Sequence, residues 1–384
     1  MNYFIFPDID TTLYEASGSS NAGLDEILEI QKTMSTSGGN IKVSRILIKF
    51  DINEISSSIV NGNISTDAKY YLNLFDAGSE DLNVSQSLWA YPISQSWVEG
   101  QGTFNDSPAT LEGASWKYRD GVTQKTFWLS GSEAAVSASG GAWHTDVYAS
   151  QSFQYESSDM RMDVTPIMKK WLDNTYPNNG FIVKRSGSFG NTNTNEAEGN
   201  QDRLGNFKFF SRQTNTVYPP KLEVEWFDTK WNTGSLSPLS STELEDLSVY
   251  MKNFRAEYKE KSKVKFRLVG RAKYPTKSYS NTSSEYLTVK YLPSGSKENI
   301  GSGSNGGTGT YYSVKDAQTD DVIINYGTGS LVSCDSSGNY FNLWMNGLQA
   351  ERYYKFEFKV VSGSNTTDEN IQYFDNDFIF KVVR

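Results

Sequence analysis

The apolar residues of this sequence come in short runs, alternating or continuous, and each run is closed by Gly, Asn, Ser, Asp or Pro. "ILEIQK" (27–32), "RILIKFDI" (45–52), "KYYLNLFDA" (69–77), "SLWAYPIS" (87–94), "FIVKRS" (181–186), "FKFFSR" (207–212) and "KLEVEWF" (221–227) all fit strands. Seven such runs separated by long polar loops predict a sheet-on-sheet architecture of jelly-roll type rather than alternating strands and helices. One helix is expected, in "DVTPIMKKWLDNTYPNNG". There Asp163 or Thr165 caps, Pro166 suits the first turn, and Tyr176, Pro177 and Gly180 end it.

At 384 residues the chain has room for at least two cores. Composition shifts at "NTGSLSPLSST", which predicts an N-terminal sandwich over 1–230, a linker over 231–245 and a second domain over 246–384. That second part reads as β again: "VKFRLVGRAKYP", "EYLTVKYL" (285–292), "YYSVKDA", "DVIINYG", "NYFNLWM", "RYYKFEFKVV" and "DFIFKVV". About seven strands in this length match an immunoglobulin-like sandwich without its Cys-Trp-Cys signature. "TELEDLSVYMKNFRAEY" fits either a helix or a strand, and the hairpin reading is preferred. The predicted fold class is therefore all-β, a jelly-roll-like sandwich with one short helix followed by an immunoglobulin-like sandwich.

Several chemistries are disfavoured. The net charge of −9 gives no global attraction for nucleic acid. No stretch approaches the roughly 20 apolar residues of a membrane helix, and "MNYFIFPDID" lacks the basic start of an export signal. Cys334 and His144 are the sole thiol and imidazole, too few for a disulfide framework or a structural zinc site. "GSGSNG" (301–306) matches a dinucleotide fingerprint by letter but leads into a strand, so a hairpin loop is expected. "DSSGN" (335–339) lacks the acidic twelfth residue of a calcium loop, and a tight turn is expected. No cofactor and no metal are expected.

"SWVEGQGTFNDSP" (96–108) offers two readings. As chemistry, Glu99 with Asp106 or Asp120 is a carboxylate pair of the glycosidase kind. As architecture, Trp97, Glu99, Phe104, Asn105 and Pro108 are anchors of a shaped loop. Nearby, Trp89, Trp116, Trp128 and Trp143 are candidates for a sugar-stacking platform, set against burial as core.

"DTTLYE" (10–15), "NAGLDEILEIQK" (21–32), "SRILIKFDINEI" (44–55), "SWVEGQGTFNDSP", "DMRMDVTPIMKKWL" (159–172), "NNGFIVKRS" (178–186) and "YPPKLEVEW" (218–226) occur in the order seen in the DNRLRE-type β-sandwich, a family similar to carbohydrate-binding modules. The resemblance implies a structural role for the 96–108 loop, with Trp97 and Phe104 packing, Glu99 and Asn105 making local hydrogen bonds and Pro108 ending the turn. Residues 109–158 and 187–206 depart from that pattern. The second half, from "VYMKNFRAEYKEKSKVKFRLVGRAKYP" through "SCDSSGNYFNLWMNGLQAERYYKFEFKVV", resembles C-terminal regions of tailed-phage virion structural proteins.

Together these resemblances imply a non-enzymatic component of a bacteriophage virion, at the neck, tail, baseplate or capsid surface. It would be made in the host cytoplasm, released by lysis, and docked in multiple copies onto other virion proteins, without nucleic-acid or membrane partners. The alternative is an adhesin for host-surface glycans. A polysaccharide-degrading tail enzyme ranks third.

Overall fold

In the computed structural model, residues 1–34, 41–82, 85–121, 123–124, 126–128, 140–153, 159–185, 198, 203–239, 246–274, 289–295, 308–362 and 371–384 are described. The fold is all-β. Contacts divide the chain into one unit of residues 5–63 and 69–223 and another of residues 1–4, 64–68 and 224–384. The division thus falls after Glu223, within a strand, rather than at 230.

The first part of the chain carries β1 (Asn2–Ile5), β2 (Ile9–Tyr14), β3 (Ile27–Met34), β4 (Ile41–Lys49), α1 (Asn53–Val60), β5 (Lys69–Leu74), β6 (Gln86–Pro92), β7 (Tyr118–Asp120), β8 (Thr126–Phe127), β9 (Ala149–Phe153), β10 (Met160–Asp163), α2 (Thr165–Leu172), β11 (Phe181–Arg185), β12 (Leu204–Phe210) and β13 (Lys221–Glu225). Its larger sheet runs β12-β3-β4-β11-β6-β9, with β2 also on β4. β5 and β10 form an antiparallel pair, matching Leu72 with Met162 and Leu74 with Met160, all four buried.

Period two decides which residues are covered. On β4, Ile46 and Ile48 face one way while Val43, Arg45 and Leu47 face the other, and all five are buried. The middle of this sheet is therefore covered on both faces, which a simple inside–outside alternation would not give.

α2 begins where Asp163 Oδ1 accepts the Thr165 N–H at 3.0 Å, and it buries Ile167, Met168 and Trp171. A second helix, α1, was not anticipated. The Asp51 carboxylate accepts the Asn53 N–H at 2.9 Å at its start, Ile55 is its buried contact, and Asn61 and Gly62 end it.

The C-terminal unit carries β14 (Ser237–Pro238), β15 (Leu247–Lys252), β16 (Glu257–Lys259), β17 (Lys263–Ala272), β18 (Lys290–Tyr291), β19 (Gly309–Asp316), β20 (Val322–Ile324), β21 (Ser333–Asp335), β22 (Gly338–Trp344), β23 (Tyr353–Val361) and β24 (Ile371–Val383). One sheet runs β14-β18-β17-β22-β21 with β15 on β17, and the other runs β16-β24-β23-β19-β20. Val249, Phe266, Leu268 and Phe341 from the first meet Tyr312, Val314, Phe356, Phe358 and Phe380 from the second in a single core. Tyr312 stacks on Phe341 with centroids 4.2 Å apart, and Phe356 on Phe380 at 4.8 Å.

Residues 247–252 are a strand, as preferred. They pair with 267–272 only after the chain has crossed to lay β16 beside β24. The expected linker needs correction. Trp231 bridges Cys334, β14 pairs with β18, and Leu239 packs against the core, so 231–239 belong to the C-terminal unit. Backbone pairing with two strands overrides the turn-rich composition. "GSGSNG" and the first half of "EYLTVKYL" lie outside the described residues.

Phe356 has no exposed surface and touches rings from both sheets. Phe356→Ala is expected to lower stability by about 3–5 kcal/mol, whereas the exposed Tyr250→Ala should stay within about 0.5 kcal/mol. Urea denaturation checks this, and equal midpoints for the two variants would contradict the core assignment.

Candidate functional site

The 96–108 stretch is a loop built around a buried side chain that the sequence reading had passed over. Asn21 has no exposed surface. Its Nδ2 donates to the carbonyls of Glu99 (2.6 Å) and Ala114 (2.8 Å), and its Oδ1 accepts from the amides of Gly23 (3.1 Å) and Gly102 (2.8 Å). All four hydrogen-bonding positions of the amide are filled. The glycines follow from this closeness: a Cβ on Gly100 would fall 2.4 Å from Asn21 Oδ1, and one on Gly113 2.7 Å from Asn21 Nδ2. Both also have left-handed backbones, at φ 83° and 99°.

The remaining residues of the stretch are placed as follows. Trp97 is buried and donates its indole N–H to the Asn179 carbonyl at 2.9 Å. Phe104 lies at the surface, its ring 4.1 Å from that of buried Tyr14. Asn105 is exposed, and Pro108 follows a cis peptide bond. Asp106 accepts from the Thr103 amide and hydroxyl and from the Thr110 hydroxyl, and these bonds hold its carboxyl below the usual range.

Glu99 accepts from the Asp10 amide at 3.1 Å and the Gln213 amide group at 3.2 Å, and it pairs with Arg212 at 3.4 Å. Its acidic neighbour is thus Asp10, and the hydrogen bonds of Asp106 go to Thr103 and Thr110 instead. Burial pushes the Asp10 carboxyl up to about 7, against the hydrogen bond from the Arg212 amide and with help from the Glu99 charge.

The four candidate sugar-stacking tryptophans divide. Trp128 is 0% exposed and donates to the Ser115 carbonyl at 2.9 Å, and Trp116 is buried in the same cluster as Leu13, Leu47 and Ile182. Neither can present a face to a sugar. Ala114, Trp116, Trp128 and Ala142 of the 109–158 insert instead pack on Leu13, Val43, Leu47 and Ile182, which is why β4 is buried on both sides.

Beneath this cover sits a buried ionic cluster. Arg45 donates to Glu198 through Nε (3.1 Å) and Nη2 (2.6 Å) and through Nη1 to the Gly140 carbonyl. Its guanidinium lies 4.7 Å from the Trp116 ring and 5.0 Å from the Trp143 ring. Lys184 Nζ adds a contact to Glu198 at 3.4 Å. Burial pushes the Glu198 carboxyl up, but Arg45 and Lys184 outweigh it and hold the carboxyl below its ordinary range. Burial lowers Lys184 to about 8, opposed by Glu198.

Trp89 and Trp143 remain partly open. Trp89 and Tyr91 project from the half-buried face of β6, where Trp89 lies opposite Lys184 on β11 and Ser150 on β9. Tyr148, 48% exposed, stacks on Trp89 with centroids 4.5 Å apart and lies 6.0 Å from Tyr91, and Trp143 is 6.1 Å from Tyr91. The Trp89 indole N–H is buried, with no hydrogen-bond partner among the described residues, so the ring offers its face and not its donor. Ser87 and Ser152 share a hydroxyl hydrogen bond at 3.1 Å on the same face. Aromatic faces flanked by hydroxyls form a contact surface.

The other reactive groups are occupied. The His144 ring stacks on Tyr176 at 3.7 Å, and Tyr176 donates to Asp146 at 2.7 Å. Cys334 is buried, and burial raises its thiol to about 11. Asp335 closes the "DSSGN" turn and pairs with Arg267 (2.8 Å) and Lys265 (2.9 Å), which leaves it engaged by cations of the chain itself. Among the described residues no three His, Cys, Asp or Glu side chains come together as a metal site.

No family model matches the sequence, and no curated protein matches it significantly. Among solved structures, the crystal structure of a DUF4785 family protein from Legionella pneumophila is 7% identical with a TM-score of 0.19, a likeness that carries nothing about fold or function. The alignment covers 98% of this chain and 65% of that one.

Two outcomes are expected. Glu198→Gln should cost about 3–5 kcal/mol in chemical denaturation, because it strands a buried guanidinium; a loss under about 1 kcal/mol would contradict the cluster. Asp10, with its folded carboxyl raised above its unfolded value of 3.8, contributes stability that is complete below 3.8 and lost as pH rises through about 7. The stability of Asp10→Asn relative to the parent should therefore climb between about pH 4 and 7 and level off above; a constant difference across that window would refute the assignment.

Proposed function

We propose that this chain is a non-enzymatic structural component of a tailed-phage virion that acts by docking, in many copies, onto other virion proteins. The observation that carries this reading is the contrast between its acids and its rings. The carboxylates that would make a catalytic pair are committed to holding loops: Glu99 to Asp10, Arg212 and Gln213, and Asp106 to Thr103 and Thr110. Trp89, Tyr91, Trp143 and Tyr148 stay partly open on one sheet face. A molecule with fixed acids and open rings is suited to contact rather than turnover. Repetition on a symmetric particle multiplies modest contacts. The likeness of the second half to virion proteins and the jelly-roll-like and immunoglobulin-like readings of the two units agree with this role.

A second reading, a host-glycan adhesin, draws on the Trp89–Tyr148 stack with its neighbouring serines, since pyranose rings lie flat on such faces.

Mass spectrometry of purified particles is the test. Recovery at a fixed ratio to the major capsid protein is expected, and absence from intact particles would remove the virion reading. Trp89→Ala combined with Tyr148→Ala should weaken incorporation or host attachment by about 2 kcal/mol or more. If incorporation is unchanged and a glycan array detects binding that the double variant loses, the adhesin reading takes its place.

A further inference from the structure

The chain is acidic overall, yet residues 252–267, "KNFRAEYKEKSKVKFR", hold seven Lys and Arg against two Glu. They fold into a groove of about 510 Å³ in the C-terminal unit, between the end of β15, the 253–259 crossing and β17. Lys252, Arg255, Lys259 and Lys263 line it and are exposed. None of the four has a carboxylate partner among the described residues, and Glu257 is the one acid among the lining residues.

The other two cations of the groove are anchored. Asp335 holds Arg267 and Lys265, fixing the wall of β17. Lys263, Lys265 and Arg267 alternate along that strand, which places them about 7 Å apart on one face. Six cations gathered against Glu257 and Asp335 leave an excess of positive charge, which raises the local potential and favours an anionic ligand.

We infer that this groove is a binding site for a polysaccharide that carries repeated sulfate or carboxylate groups. Lys252, Arg255, Lys259 and Lys263 would pair with the anions, and Asn253 and Ser262, which also line the groove, would meet sugar hydroxyls. The rings nearby favour this class over single-stranded nucleic acid, which combines cations with open aromatic faces for its bases. Here the lining rings are taken up by the core, Tyr258 packing edge-on against buried Phe266 at 5.0 Å and Phe380 at 5.6 Å, and on the next strand Lys265 lies 3.7 Å from the Tyr340 centroid and Lys263 5.0 Å from that of Trp344. The site is separate from the aromatic face of the N-terminal unit and does not depend on the docking reading.

The test uses the full chain with dextran sulfate, polygalacturonate, neutral dextran, polyglutamate and a 20-nucleotide oligothymidylate, followed by calorimetry or polarisation. Binding to at least one acidic polysaccharide and not to neutral dextran is expected, weakening roughly tenfold or more between about 50 and 200 mM salt. The combined variant Lys252→Gln, Arg255→Gln and Lys263→Gln should lose at least tenfold in affinity, whereas the exposed Lys169→Gln in the other unit should lose none. The three replaced side chains are exposed, so thermal unfolding should be retained, and Arg255→Gln alone should reproduce part of the loss. Absence of polysaccharide binding at low salt, or undiminished binding by the combined variant, overturns the inference. Tighter binding of oligothymidylate or polyglutamate overturns it too, by assigning the groove to nucleic acid or to an acidic peptide.

Discussion

The N-terminal unit depends on an ion pair with almost no access to water. Arg45 lies on β4, in the middle of the larger sheet, on the face that a two-layer protein would leave to solvent. Glu198, from a segment more than 150 residues later, neutralises it, and Trp116 and Trp143 close over its guanidinium. A buried pair of this kind is a poor source of net stability, since an apolar replacement of the same shape often does as well. It is, however, demanding about geometry. A guanidinium that must find one carboxylate, one carbonyl and two rings fixes where the covering segments sit, and the tryptophans then fill the space between.

Asn21 applies the same principle at smaller scale and without net charge. One amide joins three parts of the chain, Gly100 of "VEGQG" is there because nothing larger fits against that amide, and Gly102 because a Cβ would meet the Asn21 backbone carbonyl and Thr110. The cluster of aromatics, glycines and acids in that stretch follows from the construction of the loop. Its acids terminate hydrogen-bond networks, and its rings fill or edge the core.

The strands could be read from the sequence because period two and turn residues are local signals, and "KVKFRLVGRA" or "RYYKFEFKVV" carry them plainly. Tyr91 was also within reach, since it stands two residues from Trp89 on one strand. What escaped has long-range causes. α1 follows an apolar run that continues as strand chemistry through Ile52, and only Ile55 buries, so no periodic signal marks it. Tyr148 joins Trp89 through strand pairing, and Trp116 and Trp128 look like surface aromatics until the insert is seen to cover a sheet. Residues 231–239 have a linker's composition and a strand's partners. The basic groove was hidden by averaging, because the acids elsewhere in the chain outweigh it in the net charge.

Cys334 sits on a short strand inside the C-terminal unit, with its sulfur buried and its proton held more tightly than in a free thiol. A thiolate is the form that attacks disulfides and takes up oxidants. Copies crowded side by side would therefore neither cross-link through sulfur nor need an oxidant to set their shape. With a single, buried thiol the chain has no internal disulfide to gain or lose, so a change from a reducing to an oxidising medium leaves its cross-links as they were.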